Sequence, residues 1–342
     1  MTRRIGIAII GLGPASLPHS KSLLDLKDRA EVRFAVSRSP ERAAAFGREF
    51  PFPTTTDLDA VLADPTIEAA IVLTPPSSHL DVSRRCLQAG KHVLVEKPLE
   101  LTSARGAELV AAGRASGKIL AVVLQHRFRP ASLRLKTALD DGELGSIEAA
   151  FLHVPWWRPQ AYYDEPGRGT LKRDGGGVLL TQAIHSLDLF RSLVGVSKVV
   201  AAQARTTGLH RMETEDYVSA LLETGNGAPA TLVTTTAAYP GHPERIEITG
   251  SRGFAALVGG RLELAFLDGR WEVVEAEGST GSGANIMDFP HDAHRAVIGD
   301  FLDAIVEGRD PVVTGEEALA SQHLVDAILK AAGWPASPKA EG

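Results

Sequence analysis

Cysteine is almost missing from this chain: Cys86 is the single one in 342 residues. One thiol excludes an intrachain disulfide and any metal site built on several cysteines. Within the apolar helical pattern Leu80, Val82, Cys86, Leu87 it reads as a small buried hydrophobe. Long apolar runs are lacking too, none approaching the ~20 residues that cross a bilayer. The Met-Thr-Arg-Arg start runs straight into a strand-like segment, without the apolar core and cleavage site of a leader, so a cytoplasmic protein is expected. Basic charge is not in excess, with Lys+Arg 36 against Asp+Glu 42 and a net charge of -6, which argues against nucleic acid or an anionic membrane as partner. There is no repeat, no long charge block and no ligand set that suggests a metal.

The content that remains points to two domains, since 342 residues with 44% hydrophobic composition exceed what one core usually organises. Up to about residue 125, β-branched runs alternate with helical patterns. Ile5–Ile10, Val32–Val36, Ala69–Leu73, His92–Val95 and Leu120–Leu124 predict strands, apolar on both faces. Ala15–Leu26, Glu41–Phe50, Ser78–Ala89 and Ser103–Ala115 predict helices. The alternation predicts an α/β, Rossmann-type doubly wound parallel sheet over 1–125. From 126 to 342 a second, α+β domain is expected for substrate binding and oligomerisation. It comprises helices at Ala131–Leu139 and Gly177–Leu193, a strand at Ile147–Val154, and a largely antiparallel open-faced sheet over Val199–Val274. Gly278–Asn285 reads as a loop, and helices at His291–Val306 and Gly315–Ala332 close the chain, with 291–332 free to pack back on the first domain. The open sheet face suggests a homodimer or homotetramer.

Gly11-Leu12-Gly13-Pro14-Ala15-Ser16 follows the first strand and opens a helix. A pyrophosphate needs backbone that turns tightly with no Cβ in the way, facing helix N-terminal N–H groups, and Gly11, Gly13, Pro14 and Ala15 meet that need. Ser16 occupies the third small-residue position, so the helix should pack slightly wider there. At the second strand end, where an acidic side chain would bind a ribose hydroxyl, stand Ser37, Arg38 and, further on, Arg42. Arginine favours a 2′-phosphate, so NADP(H) is expected over NAD(H).

Three further elements are Thr74-Pro75-Pro76 leading to His79, Gly90–Pro98 with its Glu96-Lys97-Pro98 ending, and Gly175-Gly176-Gly177 leading to His185. With the glycine loop they make the chain resemble the Gfo/Idh/MocA oxidoreductases over nearly its whole length. The resemblance implies that Thr74, Pro75 and His79 lie beside the cofactor, that Glu96 and Lys97 reach towards nicotinamide and substrate, and that the bond before Pro98 is cis. Read without it, Glu96-Lys97 is a charged pair at a strand's carboxyl end, where doubly wound sheets bind ligands. Thr181, His185 and Asp188 are spaced by near-turns on one helix face. Oxidising an alcohol requires a base, and an imidazole titrating near neutrality suits His185 to that work. Lys97 either polarises the reacting oxygen or is itself the base. Most relatives carry an acid where this chain has Thr181, which shifts weight to Asp188 as the partner of His185.

Aromatics are only 6% of the chain yet cluster between Val154 and Thr170. Trp156, Trp157 and Tyr163 offer faces for sugar-like C–H surfaces, and Arg158, Arg168 or Arg173 could clamp a carboxylate or phosphate. The expected substrate is therefore a sugar-like, acidic small molecule, with a faint loop resemblance to nucleotide-sugar-acid dehydrogenases. The expected reaction is hydride transfer between NAD(P) and a secondary alcohol or ketone. Two alternatives stay open: a cofactor-retaining lyase or glycosidase-like enzyme, and an NADP-binding sensor without catalysis.

Overall fold

The computed structural model describes residues 3–275 and 290–334. The chain divides into two compact units, one of Met1–Gln125 with His291–Ala320, the other of His126–Pro290 with Ser321–Gly342.

In the first unit the order is β1 (Ile5–Ile10), α1 (Ser16–Asp25), β2 (Ala30–Val36), α2 (Pro40–Glu49), β3 (Thr54–Thr55), α3 (Leu58–Ala63), β4 (Ala69–Val72), α4 (His79–Gln88), β5 (His92–Val95), α5 (Ser103–Ser116) and β6 (Leu120–Val122). The strands pair in parallel in the order β3-β2-β1-β4-β5-β6. β1, β4 and most of β5 are buried throughout, as parallel strands covered on both faces must be. β3 and α3 escaped the sequence reading. Two threonines give no strand periodicity, and α3 shows itself mainly through the Asp57 carboxylate that caps the Ala60 N–H at 2.9 Å. Cys86 is fully buried on α4, and burial pushes its thiol up to about 12.

The second unit carries α6 (Pro130–Asp140), β7 (Ile147–Pro155), the short helices α7 (Gln160–Tyr163) and α8 (Leu171–Asp174), and α9 (Ile184–Val194). There follow β8 (Lys198–Arg205), β9 (Tyr217–Glu223), β10 (Pro229–Thr235), β11 (Arg245–Gly250), β12 (Gly253–Val258), β13 (Arg261–Phe266) and β14 (Trp271–Val274). These build one eight-stranded sheet, β14-β13-β12-β11-β7-β10-β9-β8, antiparallel except where β7 pairs with β10. Its inner strands alternate buried with more exposed residues, the edge strands β8 and β14 bury none, and Val200, Leu221, Phe254, Trp271 and Val273 stand exposed.

Two helices close the described chain, α10 (Asp292–Glu307) and α11 (Gly315–Ala331). α10 packs on α1, with Arg29 on Asp303 and His291 on Asp25, which explains why this return segment counts with the first unit. The expected loop Gly278–Asn285 lies outside the described residues. Among the described residues no helix is long and apolar enough to cross a membrane.

One expectation needs correcting. The helix foreseen over Gly177–Leu193 is interrupted: Val178–Gln182 forms a π-helical turn and α9 starts only at Ile184. The cause is Glu215, buried beneath the turn. Its carboxylate accepts the Gly177 N–H at 3.1 Å and the Leu179 N–H at 3.2 Å, and its carbonyl accepts the Val178 N–H at 2.8 Å. Any Cβ at Gly177 would lie 1.9 Å from that carbonyl oxygen.

Burial pushes the Glu215 carboxyl up to about 7, against the lowering pull of those N–H groups. As pH rises from 4.5, the unfolded chain ionises this group first while the native chain retains the proton, so stability is lost towards pH 7. Glu215→Gln should therefore gain on the parent by ~3 kcal/mol between pH 4.5 and 7 in denaturant titrations, whatever its offset at acid pH. A constant difference across that range would contradict the assignment.

Candidate active site

The candidate residues of the first unit lie where β1, β4 and β5 end. Gly11 has φ +104°, and a Cβ there would stand 2.7 Å from the Leu73 carbonyl and 2.8 Å from the Thr74 nitrogen. Gly13 is the opposite case, with nothing within 4 Å of where its Cβ would be. Pro14 is exposed, and Ala15 precedes α1, whose first residue, Ser16, is buried and donates its hydroxyl to Gly13 O at 2.7 Å. Beside this opening the Thr74 Oγ1 is buried and finds no partner among the described residues. Open backbone at Gly13 and a buried hydroxyl with unused capacity are what a nucleotide's phosphates would satisfy, so these residues fit a dinucleotide.

Ser37 is buried at the end of β2, where its hydroxyl accepts the Ser39 N–H at 3.2 Å. Arg38 and Arg42 are both exposed. Pro75 is exposed as well. His79 is fully buried, its ring bonded to Thr74 O at 2.8 Å and Pro98 O at 2.9 Å. It thus acts as a brace that ties the Thr74 turn to the end of β5.

Glu96 and Lys97 are half-buried, and the Lys97-Pro98 bond is cis. Glu96 accepts from His19 at 2.8 Å and from the Lys97 backbone N–H at 2.9 Å. Burial pushes its carboxyl up, but the His19 hydrogen bond and the charges of His19, Lys97 and His294 outweigh this and hold it at about 2. The His294 ring, on α10, meets His19 edge-on with centroids 5.2 Å apart, and burial draws its own pKa down to about 3. The sequence reading missed His19 and His294. His19 had one visible signal, its place one turn beyond Ser16 on a polar stretch that opens at the glycine loop.

The candidate residues of the second unit centre on the π-turn and α9. Thr181 donates its hydroxyl to Gly177 O at 2.7 Å, and His185 is buried. Asp188 is also buried, but its partners are Arg127, through two hydrogen bonds of 2.7 Å, and the Ser321 hydroxyl at 2.6 Å. The expected role of Asp188 as the partner of His185 is thereby redirected: its carboxylate neutralises a buried guanidinium. The ring found against His185 is His126, with centroids 5.1 Å apart. Gln125-His126-Arg127 lies in a connection whose chemistry the sequence reading passed over.

In the aromatic loop, Trp156 is buried under Arg158, and Trp157 packs edge-on to Tyr239 with centroids 5.5 Å apart. Arg158 is only 1% exposed, donating to Trp157 O at 2.8 Å and Gln182 Oε1 at 3.1 Å, so it holds the loop together and is not turned to solvent as a clamp. Tyr163 is buried and bonded to Thr236 at 2.7 Å. Arg168 stays half-buried over the Tyr162 ring, bonding the Tyr162 hydroxyl at 2.7 Å and Glu165 at 2.6 Å. The Gln182 amide meets the same hydroxyl at 2.8 Å. Arg173 donates to Pro166 O at 2.6 Å.

Residues 5–124 match the oxidoreductase family with an NAD-binding Rossmann fold, and residues 132–256 match the GFO/IDH/MocA C-terminal domain. The chain belongs to the Gfo/Idh/MocA family of oxidoreductases. It is 28% identical over 341 residues to inositol 2-dehydrogenase of Rhizobium meliloti (strain 1021), covering 96% of this chain and 97% of that protein. It is 29% identical over 226 residues to the scyllo-inositol 2-dehydrogenase (NADP(+)) IolW of Bacillus subtilis (strain 168), covering 65% of this chain and 60% of that one. The crystal structure of the WlbA dehydrogenase from Bordetella pertussis, in complex with NADH and UDP-GlcNAcA, superposes with a TM-score of 0.82 at 28% identity, covering 97% of both chains. As a Gfo/Idh/MocA protein the chain is an NAD(P)-dependent oxidoreductase, and its Rossmann sheet and mostly antiparallel second sheet are those of the family.

The two glycines of the loop should respond differently to the same change. Gly11→Ala forces a strained backbone against the Leu73 carbonyl and should cost about 3 kcal/mol or more of stability. Gly13→Ala should leave the thermal midpoint within about 2 °C while weakening nucleotide binding at least about tenfold, because its Cβ enters the space a pyrophosphate needs. Calorimetry and nucleotide-quenched tryptophan fluorescence on both variants read the two effects apart.

Proposed function

We propose that this enzyme passes a hydride between the nicotinamide of NADP(H) and a secondary alcohol or ketone of a sugar, polyol or sugar acid. The observation that carries the reading is the open backbone at Gly13 beside the unpartnered Thr74 hydroxyl, braced through His79 to the Lys97-Pro98 strand end. The bound cofactor supplies a two-electron acceptor. Gly11, Gly13, Pro14, Ala15, Thr74 and Pro75 would cradle it, with His79, Glu96 and Pro98 setting the backbone behind them.

Lys97 would hydrogen-bond the reacting oxygen and His185 would hold the hydroxyl proton. Thr181 and Asp188 would serve by fixing the backbone and α9, not by titrating. For the ribose, the exposed Arg38 and Arg42 support a 2′-phosphate, while the inward-turned Ser37 hydroxyl shapes the loop that presents them. Relatives point both ways: IolW is named for NADP(+), and the WlbA structure holds NADH.

For the substrate, the relatives' names give an inositol and a nucleotide-linked sugar acid. The half-exposed Trp157 and the Tyr162–Arg168 pair would meet such a molecule, and Arg168 would exchange Glu165 for a substrate acid group. The exposed apolar residues of the open sheet support a homodimer or homotetramer, and the expected compartment is the cytoplasm.

Purified protein should be assayed with NADP+ and with NAD+ against inositols, sugar acids and nucleotide sugars, following reduced nicotinamide by absorbance. Turnover with none of them would remove the dehydrogenase reading. On the best substrate, His185→Asn should lower kcat by about 10²–10⁴-fold with the fold retained. Arg38→Ser should lower kcat/KM for NADP+ at least about tenfold and leave that for NAD+ unchanged. Equal losses with both cofactors would contradict the 2′-phosphate assignment.

A further inference from the structure

Tyr162, on the short helix α7, is half-buried, and its ring meets the Tyr163 ring edge-on with centroids 5.0 Å apart. Tyr163 is itself tied to Thr236, so the Tyr162 ring stands on a fixed neighbour. Two side chains reach the Tyr162 hydroxyl oxygen. Arg168, whose guanidinium lies over the ring, donates from Nη1 at 2.7 Å, and Gln182, in the π-turn, donates from Nε2 at 2.8 Å.

Both hydrogen bonds run towards the phenol. A guanidinium has N–H donors and no acceptor, so the Arg168 bond has one direction only. The Gln182 amide has both kinds of atom, but its orientation is decided from the far end: Oε1 accepts the Arg158 Nε–H at 3.1 Å, which leaves the NH2 group for the phenol. A phenol oxygen has two lone pairs and one proton. With donors on both lone pairs, the proton is spent on neither neighbour, and no described residue accepts it. Arg168 is anchored in turn, its Nε and Nη2 on Glu165 Oε2 at 3.0 and 2.6 Å. A hydroxyl that accepts from a cation is polarised by it and donates more strongly.

We infer that Tyr162 determines substrate specificity by donating its phenol proton to an oxygen of the sugar-like substrate, the direction of donation being set by Arg168 and Gln182. The inference rests on the reading of the aromatic loop as the substrate surface, and it gives that surface a fixed donor. A ligand oxygen with a lone pair matches it; a ligand that presents a C–H or an N–H there leaves the donor unmatched and is rejected. Arg158 contributes at one remove, by turning the Gln182 amide.

Gln182→Glu reverses one partner and keeps the shape. Its carboxylate still accepts from Arg158, but it faces the phenol with a lone pair in place of an N–H, so the Tyr162 proton turns to it and is withdrawn from the substrate. Tyr162→Phe removes the proton outright. On the best sugar or sugar-acid substrate both variants should raise KM at least about tenfold, with the loss in KM exceeding that in kcat and Kd for NADP+ within about twofold of the parent. The double variant should have a KM no higher than that of Tyr162→Phe alone, since both changes act through one proton. Losses that multiply in the double variant, or a parental KM in Gln182→Glu, overturn the inference. Trp157→Ala leaves the three hydrogen bonds in place and tells two failures apart. KM raised there, with Tyr162→Phe and Gln182→Glu silent, removes the phenol donor alone; KM unmoved in all three removes the aromatic loop as the substrate surface and the donor with it.

Discussion

The Leu73 carbonyl passes so close to Gly11 that no side chain can stand there, and the first unit's chemistry is arranged around that approach. β1 and β4 are neighbours at the point where strand order reverses, so the chain leaves them in opposite directions and a crevice opens beyond their ends. The crossing brings the glycine turn against Thr74. His79 then carries the placement one strand further, to Pro98, through two backbone carbonyls. The glycine turn and the buried His79 ring thus locate these segments before any exposed side chain is considered, and the Glu96 charge is held by His19 and the Lys97 N–H.

Position in the second unit is set by buried polar groups instead. Asp188 and Arg127 are both nearly or fully buried, and leaving either without the other would strand a charge in low dielectric. That penalty fixes the register of α9 against the turn before it more sharply than apolar packing alone, since leucines slide at small cost and a bidentate pair does not. The aromatic loop obeys the same rule, with Arg158 spent on Trp157 O and Gln182 inside the loop.

The parallel sheet was legible because uniformly apolar strands alternating with helical patterns have one common architecture, and β1 and β5 fall at the bounds that their periodicity indicates. Less visible were groups whose partners are distant in sequence. His19 finds Glu96 across 77 residues and Arg127 finds Asp188 across 61, and neither local spacing nor propensity contains such a pairing. Arg158 shows the opposite failure: an arginine in an aromatic loop looks like a ligand clamp, yet its burial among its own acceptors is invisible in a linear pattern.

The π-turn before α9 brings these threads together. A regular helix from Gly177 would run unbroken through His185, as the sequence spacing suggests. Glu215 prevents this, taking the N–H groups of Gly177 and Leu179 with its carboxylate and that of Val178 with its carbonyl, so the turn closes wide, Ala183 N donating to Val178 O at 2.8 Å. A carboxylate at a helical N-terminus is favoured by the partial positive charge there, which offsets part of the cost of burying it. The start of α9, which carries His185, is therefore set by an acid thirty positions downstream. Thr181, the residue whose identity looked decisive in the sequence, contributes a hydroxyl bond to its own turn.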